Sequence, residues 1–186
     1  MIVDAYDFDG TLIKDDSIKL FSKWVCDSRI EFFYLYYSFY FSFKTFTKLK
    51  FTRVSFFLNL MKKKGKNIYD FHNVLNKSLY GDSLNILESD GVPKIIISAS
   101  FDEIIGSYCR EVLGVKVISN KLSRIELDVN YEYKVIVLKK DFGESISVRK
   151  AFGNSEGDFD LLKKAKFGFF RTKEGKINRW IDSTTK

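Results

Sequence analysis

Little in this chain of 186 residues breaks or staples its backbone: it holds one proline, 11 glycines and two cysteines. So few prolines and glycines exclude collagen-like and linker-like stretches. Two cysteines, Cys26 and Cys109, exclude a disulfide framework, and neither belongs to a CxxC pair. Both are expected as reduced, buried thiols. The single histidine, His72, has no second ligand in sight and is expected to be structural. Long apolar runs are also missing. The longest uncharged run, 32–43, is rich in tyrosine and shorter than the roughly 20 apolar residues that a spanning helix needs. No basic leader precedes the apolar Met1-Ile2-Val3, so no secretory signal is expected.

Acid is missing from one long stretch. Between Glu31 and Asp70 there is no Asp or Glu, while Lys44, Lys48, Lys50, Arg53, Lys62, Lys63, Lys64 and Lys66 all lie there. The net charge of +7 is therefore local, and the rest of the chain is close to neutral. The same stretch is crowded with the chain's Phe and Tyr. A near-neutral body with one basic, aromatic segment points to an anionic partner met at one place. The remaining composition, 45% hydrophobic and 30% charged, is that of a chain able to bury a core.

Periodicity divides the chain. Met1 to Asp7 reads as a short strand. Ile18, Phe21, Trp24 and Val25 have helical spacing after Asp15-Asp16-Ser17, and Ser28 with Glu31 has the form of a capping box opening a second helix. Lys62 to Asn67 reads as a basic loop, and Asn67 as the cap of a helix that turns Phe71 and Leu75 inward. The pattern changes at Gly91-Val92-Pro93. Ile95-Ile96-Ile97, Val115 to Ser119, Val148 to Phe152 and Phe167 to Phe170 read as strands, with helices between them opened by Ser100/Glu103 and over 159–165. Lys134 to Lys140 fits either helix or strand. Strands alternating with helices predict an α/β fold with a parallel sheet, interrupted after its first strand by a helical segment over 14–91.

The sharpest motif is Asp7-Phe8-Asp9-Gly10-Thr11-Leu12. Two carboxylates two residues apart, just past a strand end, would sit at the sheet edge where open α/β sheets bind ligands. They repel unless a cation stands beside them, which implies a hard ion with oxygen ligands, Mg²⁺ by default. One carboxylate is then free to act as nucleophile and the other as acid and base.

This motif resembles the first motif of the haloacid dehalogenase-like superfamily, and others follow in order. Ile95-Ile96-Ile97 ending in Ser98-Ala99-Ser100 resembles its second motif, Lys134 stands where its third-motif lysine is expected, and Gly153-Asn154-Ser155-Glu156-Gly157-Asp158 resembles its fourth. The motif forms and the helical insert resemble the phosphoserine-phosphatase-like branch with a C1 cap, and within it lipid phosphatases of the phosphatidylglycerophosphatase C kind. The resemblance implies a Rossmann-like catalytic core, 1–13 and 92–186, with 14–91 as cap. It implies a Mg²⁺-dependent phosphomonoesterase: Asp7 the nucleophile that becomes an aspartyl-phosphate, Asp9 the acid and base, Ser98 and the Ala99 N–H gripping phosphoryl oxygens, and Lys134 neutralising charge. Metal would be held by Asp7, Asp9 through its carbonyl, and motif four through Asn154 and Asp158. Asn154 departs from the pattern, which usually has aspartate there. An amide ligates without bringing charge, so the anion would have to come from Asp158. Asp16, in the linker to the cap, is expected to cap a helix, with a substrate-binding role beside it.

The resemblance implies that the cap sets substrate choice. Its aromatics, Phe32, Phe33, Tyr34, Tyr36, Tyr37, Phe39, Tyr40, Phe41 and Phe43, beside Lys44, Lys48, Lys50 and Arg53, have the composition of a membrane interface. Packing within the cap is the competing expectation, and nucleic acid ranks last. The substrate expected is a phosphorylated lipid or lipid-linked intermediate, with a small soluble metabolite such as phosphoserine as the alternative. A catalytically weak relative that binds a phosphorylated or membrane partner is the second class of function. The location expected is cytoplasmic, with peripheral contact at the inner membrane face left open.

Overall fold

Alternation along the first strands decides how the sheet is covered. In a strand, successive side chains point to opposite faces. In β1 (Ile2–Tyr6) Val3 and Ala5 face one way and Tyr6 the other; in β2 (Lys94–Phe101) Ile95 and Ile97 oppose Ile96. Both faces are apolar, so both need cover, as in a parallel sheet with helices on each side. The computed structural model describes residues 1–42, 46–88, 90–123, 129 and 132–181, with side chains for all of these except 39–42, 46–48 and 132.

The sheet has the order β3-β2-β1-β4-β5-β6, where β3 is Lys116–Asn120, β4 Ser147–Gly153, β5 Phe167–Arg171 and β6 Ile177–Arg179. All neighbours run parallel except β5 and β6. Helices α6 (Glu132–Phe142) and α7 (Phe159–Lys164) cover one face, where Val3, Ala5, Ile95, Ile97, Val137, Leu138, Leu161 and Leu162 form one apolar cluster. The order reverses between β1 and β4, which is where ligands bind in open α/β sheets, beyond the carboxyl ends of the strands.

Between β1 and β2 the chain forms α1 (Ser17–Val25), α2 (Arg29–Ser42), α3 (Phe46–Lys63), α4 (Ile68–Ser78) and the short α5 (Ser83–Leu87). It leaves and returns along paired linkers: the Lys14 N–H donates to the Ser78 carbonyl at 2.8 Å and the Tyr80 N–H to the Leu12 carbonyl at 3.1 Å. This insertion packs on the second sheet face. Phe21, Phe51, Phe57, Phe71 and Leu75 join Tyr6, Phe8, Ile96 and Phe101 in a single apolar cluster. Cys26 and Cys109 are free and buried, and His72 bonds to the Ser107 hydroxyl at 3.0 Å.

Local differences from the sequence reading have local causes. Ser28 accepts from the Glu31 N–H at 3.0 Å, but Glu31 returns to the Asp27 N–H at 2.7 Å, one residue before the expected cap. Ser100 caps nothing: it is still in β2, its hydroxyl 2.7 Å from that of Ser17. Glu103 instead accepts from the Leu122 N–H at 3.0 Å. The helix expected to start there is two wide π-type turns, 102–106 and 108–112. Lys134 to Lys140 is helical, and α5 and β6 carried no sequence signal.

Candidate active site

The site forms where β1, β2, β4 and α6 end or begin side by side. The Asp7 N–H continues the β1–β4 ladder by donating to the Phe152 carbonyl at 2.9 Å, so the Asp7 side chain leaves the sheet at its carboxyl edge. The chain then turns sharply, with the N–H groups of Leu12 and Ile13 returning to the Phe8 carbonyl at 2.9 and 3.2 Å. Gly10 is required in that turn. Its φ is +71°, and a Cβ there would lie 2.1 Å from the Asn154 side-chain nitrogen.

Asp7 and Asp158 share one cation. Lys134, in the first turn of α6 and 2% exposed, donates to Asp7 Oδ1 at 2.6 Å and to Asp158 Oδ1 at 2.5 Å. Asp158 Oδ2 accepts from the Asn154 N–H, the Ser155 N–H and the Ser155 hydroxyl, at 3.0, 3.0 and 2.9 Å. Both Asp158 oxygens are therefore engaged, and it acts on the site through Lys134 and by shaping the 154–158 loop. Gly153 admits it closely: a Cβ there would come 2.4 Å from the Asp158 Cβ. Burial and then the Asp158 charge push the Asp7 carboxyl up, to about 6, against the pull of Lys134. For Lys134, burial alone would lower its pKa, but the two carboxylates outweigh it and the net shift is upward.

Asp9 points toward the insertion. It accepts from the Ser17 N–H at 2.9 Å and from the Ser17 hydroxyl at 3.0 Å. Burial, and then the charges of Asp16 and Asp7, hold its carboxyl well above the usual carboxylate range. A carboxyl in that state keeps a proton to give, as a general acid must. Asp16 caps α1 by accepting from the Lys19 N–H at 2.7 Å, and it also lines the pocket.

On the other side, β2 breaks register with β3 between Ser98 and Phe101, so Ala99 and Ser100 lie where β2 has left its regular pairing. Ser98 accepts from the Ser100 N–H at 3.1 Å, which leaves its own hydroxyl proton for the pocket. The Ala99 carbonyl accepts from Asn120 Nδ2 at 2.8 Å and from Lys50 Nζ, on α3, at 2.5 Å. Asp7, Asp9, Asp16, Ser98, Ala99, Lys134 and Asn154 all line one pocket of about 410 Å³, together with Gly10, Lys14, Asp15 and Ser155. Asp158 lies behind it.

The residues fit a divalent cation. One end of the Asn154 amide lies 3.2 Å from Asp7 Oδ2 and 3.0 Å from the Asp9 carbonyl oxygen. With its nitrogen turned that way, the amide donates to both. With its oxygen turned that way, three oxygens converge and the Thr11 hydroxyl, 3.3 Å from two of them, brings a single proton, an arrangement a hard cation resolves. Among the described residues no three His, Cys, Asp or Glu side chains gather as a metal cluster. This oxygen set is instead one carboxylate, one carbonyl and one amide.

Sequence reasoning missed three contributors. Ser17 holds Asp9; Thr11, inside the motif, donates to Asp7 Oδ2 and Asn154 Oδ1 at 3.3 Å each; Lys50 reaches Ala99 across the insertion. Only Thr11 had a signal, its place in the motif. Of the insertion residues singled out, Phe32 and Tyr36 are buried, Arg53 lies with its guanidinium 4.6 Å over the Tyr36 ring, and Phe33, Tyr34 and Tyr37 are exposed. Phe39, Tyr40, Phe41, Phe43, Lys44 and Lys48 fall outside the described side chains.

The chain is 28% identical to protein CicA of Caulobacter vibrioides, over 92% of this chain and 86% of that protein. Its fold matches a Bordetella pertussis protein of unknown function with a TM-score of 0.70 at 16% identity, covering 90% of this chain and 88% of the other. It also matches a phosphoserine phosphohydrolase-like protein of Francisella tularensis, with a TM-score of 0.57 at 17% identity and coverage of 90% and 86%. The haloacid dehalogenase-like hydrolase family matches residues 5–163, which hold β2, β3 and β4, the insertion and every residue lining the pocket just described, and the chain belongs to that family.

Proposed function

We propose that the protein is a Mg²⁺-dependent phosphomonoesterase working through an aspartyl-phosphate. The observation that carries this reading is the convergence of Asp7, Asp9, Ser98, Lys134 and Asn154, from four separated stretches of sequence, on one pocket. Phosphoryl transfer asks for in-line placement and for cations and donors around three charged oxygens, and that is what these groups offer.

Asp7, oriented by Lys134, attacks phosphorus, and the bond to the leaving oxygen breaks as Asp9 gives that oxygen its proton. Asp9, now ionised, takes a proton from water as the water attacks phosphorus. The acyl-phosphate bond breaks, phosphate leaves, and Asp7 is restored. Ser98 and the Ala99 N–H hold phosphoryl oxygens throughout. Lys134 offsets the charge on Asp7 and on the phosphoryl group. Asp7, the Asp9 carbonyl and Asn154 would hold Mg²⁺, which supplies positive charge beside the phosphoryl oxygens.

The aromatic, basic insertion supports a phosphorylated lipid or lipid-linked intermediate as substrate. A small phosphomonoester bearing an ammonium group, such as phosphoserine, is the second reading, supported by the Asp15 and Asp16 carboxylates lining the pocket.

Hydrolysis of an aryl phosphate with Mg²⁺ tests the reaction. Asp7→Asn is expected to lower kcat by at least about a thousandfold with the fold retained, because the nucleophile is gone. A mutant rate near wild type rules the mechanism out. No turnover of lipid, sugar or amino-acid phosphates with excess Mg²⁺ or Mn²⁺ would favour a binding protein instead.

A further inference from the structure

Helix α2 is apolar on nearly every side, and such a helix is ordinarily buried all round. Here only part of it is. Phe32 and Tyr36 are buried in the core, while Ile30, Phe33, Tyr34 and Tyr37 are 82%, 55%, 75% and 39% exposed. Those four stand at i, i+3, i+4 and i+7, one continuous stripe along the outer face. Phe33 and Tyr37 stack on each other at 5.6 Å and 10°. The stripe needs cover, and the charges around it say what kind.

The two acids at the start of α2 are neutralised within the molecule. Lys64 donates to Glu31 at 2.7 and 2.9 Å and to Asp27 at 2.8 Å, and Lys66 lies 3.2 Å from Asp27. Since Lys64 closes on Glu31, the end of α3 that carries the exposed Lys62 and Lys63 stands beside the start of the stripe. Arg29, also exposed, opens α2 itself. Arg29, Lys62 and Lys63 have no ion pair among the described residues, so the rim is positive with its acids cancelled.

We propose that this outward face of α2, rimmed by Arg29, Lys62 and Lys63, docks on an anionic lipid bilayer. Exposed Phe and Tyr with cations beside them are what the headgroup region accepts. Docking is peripheral, since among the described residues no helix is long and apolar enough to cross a membrane. The direction of the stripe fits a lipid substrate. Helices α2 and α3 run antiparallel, with Glu31 against Lys64 and Tyr36 under Arg53. Tyr37 therefore lies toward the end of α3 whose Lys50 bonds to Ala99 at the pocket. That last link, from docking to substrate, rests on the phosphatase reading; the docking itself does not.

Co-sedimentation with phosphatidylcholine vesicles, alone or mixed with phosphatidylglycerol, tests the proposal. Wild type is expected to bind the anionic vesicles at least about tenfold more tightly and to be released by salt. Phe33→Ser with Tyr34→Ser is expected to weaken binding by about tenfold or more, and Lys62→Gln with Lys63→Gln to weaken it severalfold and flatten the salt dependence. Both variants should hydrolyse a soluble aryl phosphate at the wild-type rate, which also reports that they fold. No binding to anionic vesicles, or equal binding to neutral ones, overturns the proposal. So does a stable dimer that Phe33→Ser with Tyr34→Ser breaks, because a second copy then covers the face. Vesicle binding without any phosphatase turnover would instead sink the catalytic reading and leave the docking intact.

Discussion

Lys134 shows how much of this site rests on single side chains. It is a fully buried lysine whose charge is tolerated because Asp7 and Asp158 each meet it within 2.6 Å. Removing one partner of such a group leaves uncompensated buried charge, which costs about 3–5 kcal/mol. Lys134→Met is therefore expected to lose stability of that order in denaturant titration as well as activity, whereas a purely catalytic lysine would leave stability unchanged. Asp7 gives the opposite sign. Its carboxyl is raised to about 6, so the folded protein binds this proton more tightly than the unfolded chain does. Stability contributed by the group is then present at low pH, falls as pH rises from about 4 to about 6, and stays lost above. Asp7→Asn should be more stable than wild type at pH 8 without divalent ion, by about 2 kcal/mol, with the gap closing near pH 4. Added Mg²⁺ should narrow it in thermal melts, because only wild type carries the ionised Asp7 beside which the ion would sit. The order of Asp7, Asp9, Ser98, Lys134 and Asn154 was readable along the chain because each falls in a motif. Ser17 and Lys50 were not, since their contacts are made by folding the insertion back on the sheet.

Elements were legible where burial on two faces and breaker residues agreed. The apolar run at 95–97 reads as a buried strand and is one, and Val148 to Phe152 reads as a strand and lies within β4. Val135-Ile136-Val137-Leu138 did not resolve, because four consecutive apolar residues suit either period. Tertiary placement decides: Lys134, Val137 and Leu138 are buried and Ile136 is exposed, a helical pattern. At the far end of the sheet, β1, β2 and β4 are tied by Asp4, which is fully buried. It accepts from Arg149 at 2.9 and 2.6 Å and from Lys94 at 3.1 Å. Burial alone would raise the Asp4 carboxyl, but these cations outweigh it and the net shift is downward. A depressed carboxyl contributes stability above the unfolded value near 3.9 and loses it as pH falls through the folded value. Asp4→Asn is expected to cost about 2–4 kcal/mol at pH 7 and to show a smaller further loss than wild type on acidification below about 4. An unchanged acid limb in equilibrium unfolding would count against this strap.

At the scale of the whole molecule, the helical insertion and the sheet share one apolar cluster, with the Phe51 and Phe101 rings edge to face at 4.8 Å across the boundary. Phe71→Ala, in α4, is therefore expected to lower global stability by about 3–5 kcal/mol while the chain still unfolds in one transition. Two separated transitions would show the insertion to be an independent unit. The topology has a further consequence, for synthesis. β1 lies inside the sheet and leaves the ribosome ahead of both its neighbours, residues 94–101 and 147–153. At roughly 5–20 residues per second β1 waits roughly 7–30 seconds for the second of them. During translation the segment that carries Asp7 is therefore exposed until both flanking strands have emerged.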